Sequence, residues 1–215
     1  MLDTAANAAE PMRRSPLSHR QPIASGEAGI ELAERKFVGK LILRGGAAQI
    51  APLLQESGIA LPAMPCTSTV ARDLTALWLG PSEWLLLTPE GEEKAMSAAI
   101  ESALRGVHFQ LADVTDQYTI IQLSGARARQ LLMKLTTLDM HRRAFSGGCV
   151  KGSIFGRIQA TLHLPAGEKA EAPGFDLIVR WSLADYLWCL IALAGREYGL
   201  PEQMPQGRVK LAVPR

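Results

Sequence analysis

The sequence predicts an α+β protein made of two βαββα-like halves, with mixed or antiparallel sheets and helices packed against them. Three observations point there: apolar runs of strand length closed by Gly, Pro and Ser turns, intervening segments with apolar residues at helical spacing, and an order of elements that occurs twice. In each half the order is strand, small-residue turn, helix, hairpin, strand, helix.

Residues 1–27 mix Ala, Pro, Ser, Gly and Arg without either periodicity, which predicts an extended or disordered arm. The folded domain is expected over residues 28–200, with halves at about 28–106 and 107–200, and residues 201–215 form a tail. Ile30 to Arg35 and Lys40 to Arg44 read as strands, after which Gly45-Gly46 opens a short helix through Gln55 that Gly58 stops. A Pro-rich connector, Leu61 to Pro65, leads to two apolar runs, Leu74 to Leu79 and Trp84 to Thr88. Their link, Gly80-Pro81-Ser82-Glu83, is turn chemistry between antiparallel strands. Met96, Ala99, Ile100, Ala103 and Leu104 place a helix over Glu92 to Leu104, with two acids in the first turn where they suit the helix dipole.

The second half repeats the scheme. Val107 to Val114 and Tyr118 to Leu123 read as strands, Ala126 to Leu135 as a helix, and Thr136 to Gly148 as a loop. Val150 to Phe155, Ile158 to Leu164 and Phe175 to Arg180 follow as strands, with Gly156-Arg157 a tight turn. Ser182 is an N-cap candidate, with Asp185 three residues on, for a last helix that runs to Tyr198. Leu43-Arg44-Gly45-Gly46-Ala47 parallels Leu123-Ser124-Gly125-Ala126-Arg127, and Trp84 to Leu87 parallels Phe175 to Val179, the pattern of an internal duplication.

Composition narrows the function classes. With 47% apolar residues in 215, the chain can fill one large core or two halves that share one. A net charge of +2 gives no field for nucleic acid or an acidic membrane. Cys66, Cys149 and Cys189 are odd in number and lie far apart, so they read as free thiols of a reducing compartment. The start, Met1 to Arg14, lacks the apolar run of a secretory signal. The longest apolar stretch, Tyr186 to Ala194, is nine residues, against ~20 for a membrane-spanning helix. A cytoplasmic protein is expected.

Candidate chemistry is sparse. Cys149, in Gly147-Gly148-Cys149 and near His141 in sequence, could be a nucleophile, but a small residue entering a strand accounts for it, and that reading is preferred. His19, His108, His141 and His163 show no metal-ligand spacing, and the Gly-Gly turns lack the rest of a dinucleotide or phosphate-loop pattern. Asp113 and Asp116 could pair for acid/base work; short acids at a strand end more often satisfy turn amides. The last helix is apolar on every face. It is either a central core helix, or Trp181 or Trp188 meets a partner subunit.

Five stretches, taken in order, resemble the gamma subunit of heterotetrameric sarcosine oxidase. They are Arg14-Ser15-Pro16-Leu17, Leu79 to Leu86, Asp113-Val114-Thr115-Asp116-Gln117, Leu138-Asp139-Met140-His141-Arg142-Arg143-Ala144-Phe145, and Ser182 to Trp188. Arg142 stands where the family has Pro, so the local turn is expected to differ. Asp113-Val114-Thr115 and Ile121-Gln122-Leu123-Ser124-Gly125-Ala126 are also similar to the first domain of glycine-cleavage aminomethyltransferases, which implies their folate-binding type of fold. Those enzymes carry an acidic pair just after a hairpin turn; the corresponding positions here are Gln159 and Ala160.

The resemblance implies a non-catalytic gamma subunit supporting assembly of a complex that oxidatively demethylates sarcosine to glycine, with hydrogen peroxide and formaldehyde or methylenetetrahydrofolate as co-products. It implies no cofactor in this chain, with FAD, FMN, NAD and tetrahydrofolate held by other subunits. The partners would be the alpha, beta and delta subunits, chiefly the large alpha subunit. Trp181, Trp188, His141 and Arg143 are the partner-interface candidates. The alternative is a stand-alone folate-binding protein or aminomethyltransferase-like enzyme in which Asp113 or Asp116 takes over the role of the missing acid.

Overall fold

The computed structural model describes residues 13–26, 29–167 and 171–204. A short strand β1 (Ile23–Ser25) precedes the first half: β2 (Ile30–Arg35), β3 (Gly39–Gly45), α1 (Ala47–Glu56), β4 (Ser68–Ala71), β5 (Leu74–Gly80), β6 (Glu83–Thr88) and α2 (Glu93–Ala103). The second half repeats it as β7 (Phe109–Asp113), β8 (Tyr118–Gly125), α3 (Ala128–Met133), β9 (Val150–Phe155), β10 (Ile158–His163), β11 (Gly174–Arg180) and α4 (Ala184–Ala194).

Among the described residues these strands form two sheets, ordered β4-β5-β6-β3-β7 and β1-β2-β8-β11-β10-β9, with every neighbouring pair antiparallel. The fold class read from the sequence is the observed one, with one difference. The halves exchange their first strands, so β2 lies beside β8 of the second half and β7 beside β3 of the first. The registers match: Leu32 faces Leu123 as Leu111 faces Leu43, and Leu123 faces Phe175 as Leu43 faces Trp84. The internal duplication is therefore visible in three dimensions, although the halves of the sequence are not the halves of the molecule.

Three apolar clusters set the layering. Leu41, Leu43, Trp84 and Leu86 pack with Ile50, Leu54 and Ile100 of α1 and α2. Leu123, Leu162, Phe175 and Leu177 pack with Leu131, Leu132, Leu187, Trp188 and Ile191 of α3 and α4. The alternate side chains Leu77, Leu85, Leu87, Ile120 and Ile178 meet between the sheets. Successive strand residues point to opposite faces, so a strand covered on both faces reads as a near-continuous apolar run, as Trp84 to Leu87 of β6 do and as β11 does apart from Asp176.

The arm expected over residues 1–27 is corrected over its second part. Residues 1–12 and 27 lie outside the described residues, but Leu17 is fully buried in the second-half core and β1 pairs with β2. The anchor is Arg20, whose guanidinium reaches Asp185 Oδ1 at 2.7–2.8 Å, Met204 O at 2.8 Å and Cys189 Sγ at 3.2 Å. Single-residue composition gave no sign of this, because the partners lie more than 160 residues away.

Two further readings change. β4 was hidden by the Pro-rich connector, its short Ser68-Thr69-Val70-Ala71 run lacking a large apolar signal. Ser182 caps nothing: a 3-10 turn, Trp181–Leu183, precedes α4, and Asp185 is engaged by Arg20 and by His19 Nε2 at 2.9 Å instead of by its own helix start. The helix also ends at Ala194, with a separate turn Arg196–Tyr198 after Gly195.

Candidate functional site

The position at which the resemblance calls for an acid follows the β9–β10 turn. Gly156 takes φ +61 there, and a Cβ would run into Leu190 and Tyr186 of α4, so the turn needs glycine. Alternation then sends Ile158, Ala160 and Leu162 toward the helices and leaves Gln159 and Thr161 on the opposite face. Gln159 and Thr161, with Tyr118, Ile178 and Arg180 of the same sheet and Cys66, Trp78 and Leu79 of the first half, line a cleft of about 470 Å³.

No Asp or Glu is among the residues lining this cleft; its charged side chains are Lys151 and Arg180. An amide at Gln159 can donate and accept hydrogen bonds, but it neither gives nor takes a proton near neutral pH. The residues present therefore do not fit acid-assisted chemistry on a folate.

The other candidates resolve one by one. Asp113 Oδ1 accepts the Thr115 N–H at 2.9 Å, the turn role, while Asp116 is exposed and faces Arg13 at 3.9 Å. Thr115 Oγ1 in turn accepts from the Lys40 N–H, so this segment holds the crossing of the two halves together. Burial pushes the Cys149 and Cys189 thiols up, which disfavours the nucleophilic thiolate. Among the described residues no group of three His, Cys, Asp or Glu side chains could hold a metal ion, and no helix is long and apolar enough to cross a membrane.

Of the partner-contact candidates, Trp188 is corrected: it is 1% exposed and sits in the second-half core, so it has no face left for another chain. Trp181 is 48% exposed, and His141 and Arg143 lie on the exposed loop after α3.

A polar cluster between the sheets was not read from the sequence. Asp176, fully buried, receives Arg35 Nη1 at 2.5 Å and Gln122 Nε2 at 3.5 Å, with His163 Nδ1 3.8 Å away. His163 Nε2 meets Ser68 Oγ at 3.1 Å. The one available signal was Asp176 itself, an acid inside the otherwise apolar run of β11.

Two antiparallel sheets with exchanged first strands, flanked by helices, define a protein of the aminomethyltransferase fold. The chain overlays on glycine cleavage system aminomethyltransferase T from Bartonella henselae with a TM-score of 0.58 at 16% identity, covering 79% of this chain and 49% of that one. It matches the model of the sarcosine oxidase, gamma subunit family over residues 44–197, and it belongs to that family. It is 34% identical over 140 residues to sarcosine oxidase subunit gamma of an Arthrobacter species, covering 62% of this chain and 68% of the relative. A chain of heterotetrameric sarcosine oxidase from Corynebacterium sp. U-96, solved in complex with pyrrole 2-carboxylate, overlays with a TM-score of 0.76 at 27% identity, covering 89% of this chain and 99% of that one.

Proposed function

We propose that this chain acts as the gamma subunit of a heterotetrameric sarcosine oxidase and supports assembly of the complex without taking part in its chemistry. Family membership and the overlay on a chain of such an enzyme support the subunit role. The carboxylate-free cleft around Gln159 carries the non-catalytic part, since a fold that elsewhere serves acid-assisted transfer here offers an amide and two cations. In this reading the partners are the alpha, beta and delta subunits, chiefly the large alpha subunit, while FAD, FMN, NAD and tetrahydrofolate belong to the alpha and beta subunits, where the oxidative demethylation of sarcosine to glycine takes place. Trp181, His141 and Arg143 are the surface residues proposed to meet them.

Co-expression with and without this chain tests the reading. Omission is expected to lower the yield of assembled, flavin-loaded complex, and the isolated chain is expected to leave sarcosine and tetrahydrofolate unchanged. Turnover by the isolated chain at an enzymatic rate would refute it. The enzyme alternative predicts heat on titrating tetrahydrofolate into the isolated chain and loss of that heat in Asp113→Ala. The hydrogen bond from the Thr115 N–H already assigns Asp113 a turn role.

A further inference from the structure

Away from the Gln159 cleft, a cavity of about 340 Å³ opens between α3, the loop that follows it and Pro173. Its polar side chains are Arg129, Gln130, His141 and Arg142, and its apolar wall includes Met133 and Met140. Each polar group presents a donor. Gln130 Oε1 accepts from Arg127 Nη1 at 3.2 Å, which leaves the amide N–H groups of Gln130 to give. His141 Nδ1 accepts the Arg143 N–H at 3.3 Å, which puts the proton of the neutral ring on Nε2.

Arg129 is held in place. Its Nη1 donates to Met140 O at 2.6 Å and Phe145 O at 3.0 Å, and the guanidinium lies over the Phe175 ring at 5.1 Å. Its Nε is buried with no acceptor among the described residues. Burial first, then the nearby charge of Arg142, lowers the pKa of Arg129. No Asp or Glu lines the cavity, and the acid of the loop, Asp139, spends Oδ1 on the His141 N–H at 2.8 Å. Two guanidinium groups, the Gln130 amide and the His141 ring thus converge with no Asp or Glu among them.

We propose that this cavity seats an Asp or Glu side chain of the partner subunit, with the apolar part of the same partner segment resting on the exposed Met133. The inference rests on the subunit reading above. Charge complementarity selects an acidic occupant. A partner segment is favoured over a small molecule because the wall is itself open to solvent, Met133 being 53% exposed, whereas small-molecule sites enclose most of their ligand.

The test is association of purified chain with the remaining subunits expressed without it. Arg142 is exposed and is involved in no hydrogen bond of the fold among the described residues, so Arg142→Glu and the milder Arg142→Gln should keep wild-type thermal unfolding. Arg142→Glu is expected to raise the Kd about tenfold to a hundredfold, Arg142→Gln less, while Arg105→Glu, an exposed charge reversal outside the cavity, leaves it unchanged. Equal affinity for wild type and both Arg142 variants overturns the proposal while leaving the subunit role standing. Saturable binding of acetate or benzoate to the isolated chain, lost in Arg142→Glu and without effect on subunit association, overturns it in favour of a free carboxylate. If wild-type chain does not associate at all, the subunit reading itself falls.

Discussion

At equivalent places between the two sheets, the halves carry opposite chemistry. Where the first half has Lys40, the second has Ile120; where the first has Ile42 and Leu85, the second has Gln122 and Asp176. Registers duplicated almost residue for residue have thus been filled so that a polar group on one sheet is not mirrored on the other. Complementary filling keeps one buried cation and one buried anion, each served by its own partners. The helix layers diverge as well: α4 buries six of its residues and α2 only Ile100.

The difference in helix layers is expected to produce the largest effect. Leu187→Ala, deep under α4, should cost about 4 kcal/mol in urea unfolding, and Ile100→Ala about 2, because thinly covered α2 can settle into the space. Equal losses would mean that the two helix layers are energetically alike.

Next come the paired glycines. Gly125 has φ +115 and its Cβ would strike the Gly29 carbonyl, whereas at Gly45 a Cβ meets only side chains, Ile50 at 3.2 Å and Phe109 at 3.5 Å. Gly125→Ala should therefore cost about 3 kcal/mol and Gly45→Ala about 1. A reversed order in thermal melts would break the equivalence of these positions.

Asp176→Asn removes the charge that Arg35 meets, and since Arg35 is partly exposed the loss should be about 2 kcal/mol. Asp176→Leu, which installs the chemistry of the first half, should cost more, as Arg35, Gln122 and His163 would then face an apolar group.

A further effect is a slope, read across pH and not as a single loss. Lys40 Nζ donates to Val38 O at 2.5 Å and Thr115 O at 3.2 Å, one carbonyl from each crossing segment. Burial, then Arg13, lowers its pKa to about 8 from 10.5. Between those values the unfolded chain binds more protons than the folded one, so Lys40 makes stability rise with pH from about 8 to 10.5, while below 8 the cost of the buried charge is fully present. Unfolding free energies across that range should rise more steeply for wild type than for Lys40→Met; parallel curves would mean that Lys40 titrates as it does in water.

Much of this architecture could be read from local pattern. Gly58, Gly106 and Gly156 marked ends and turns because each takes a positive φ, and the parallel between Trp84 to Leu87 and Phe175 to Val179 reported the duplication. What stayed hidden depended on distant partners. Nothing near Arg20 announces Asp185, and nothing in His163 announces Asp176 or Ser68, since each pairing exists only once the sheets have met. The cleft behaved likewise: Gln159 had meaning only through the resemblance, and the lining supplied by Cys66 and Trp78 of the other half had no local signature.

Strand exchange also bears on how the chain is made. When the ribosome has released residues through α2, β2 still lacks its neighbour β8 and β3 lacks β7, so the earlier half must wait, with strand edges unpaired, for synthesis of the later one. The nascent protein is accordingly expected to need chaperone cover until β11 emerges, and a gene split between α2 and β7 should yield two fragments that are insoluble apart and recover only when translated together.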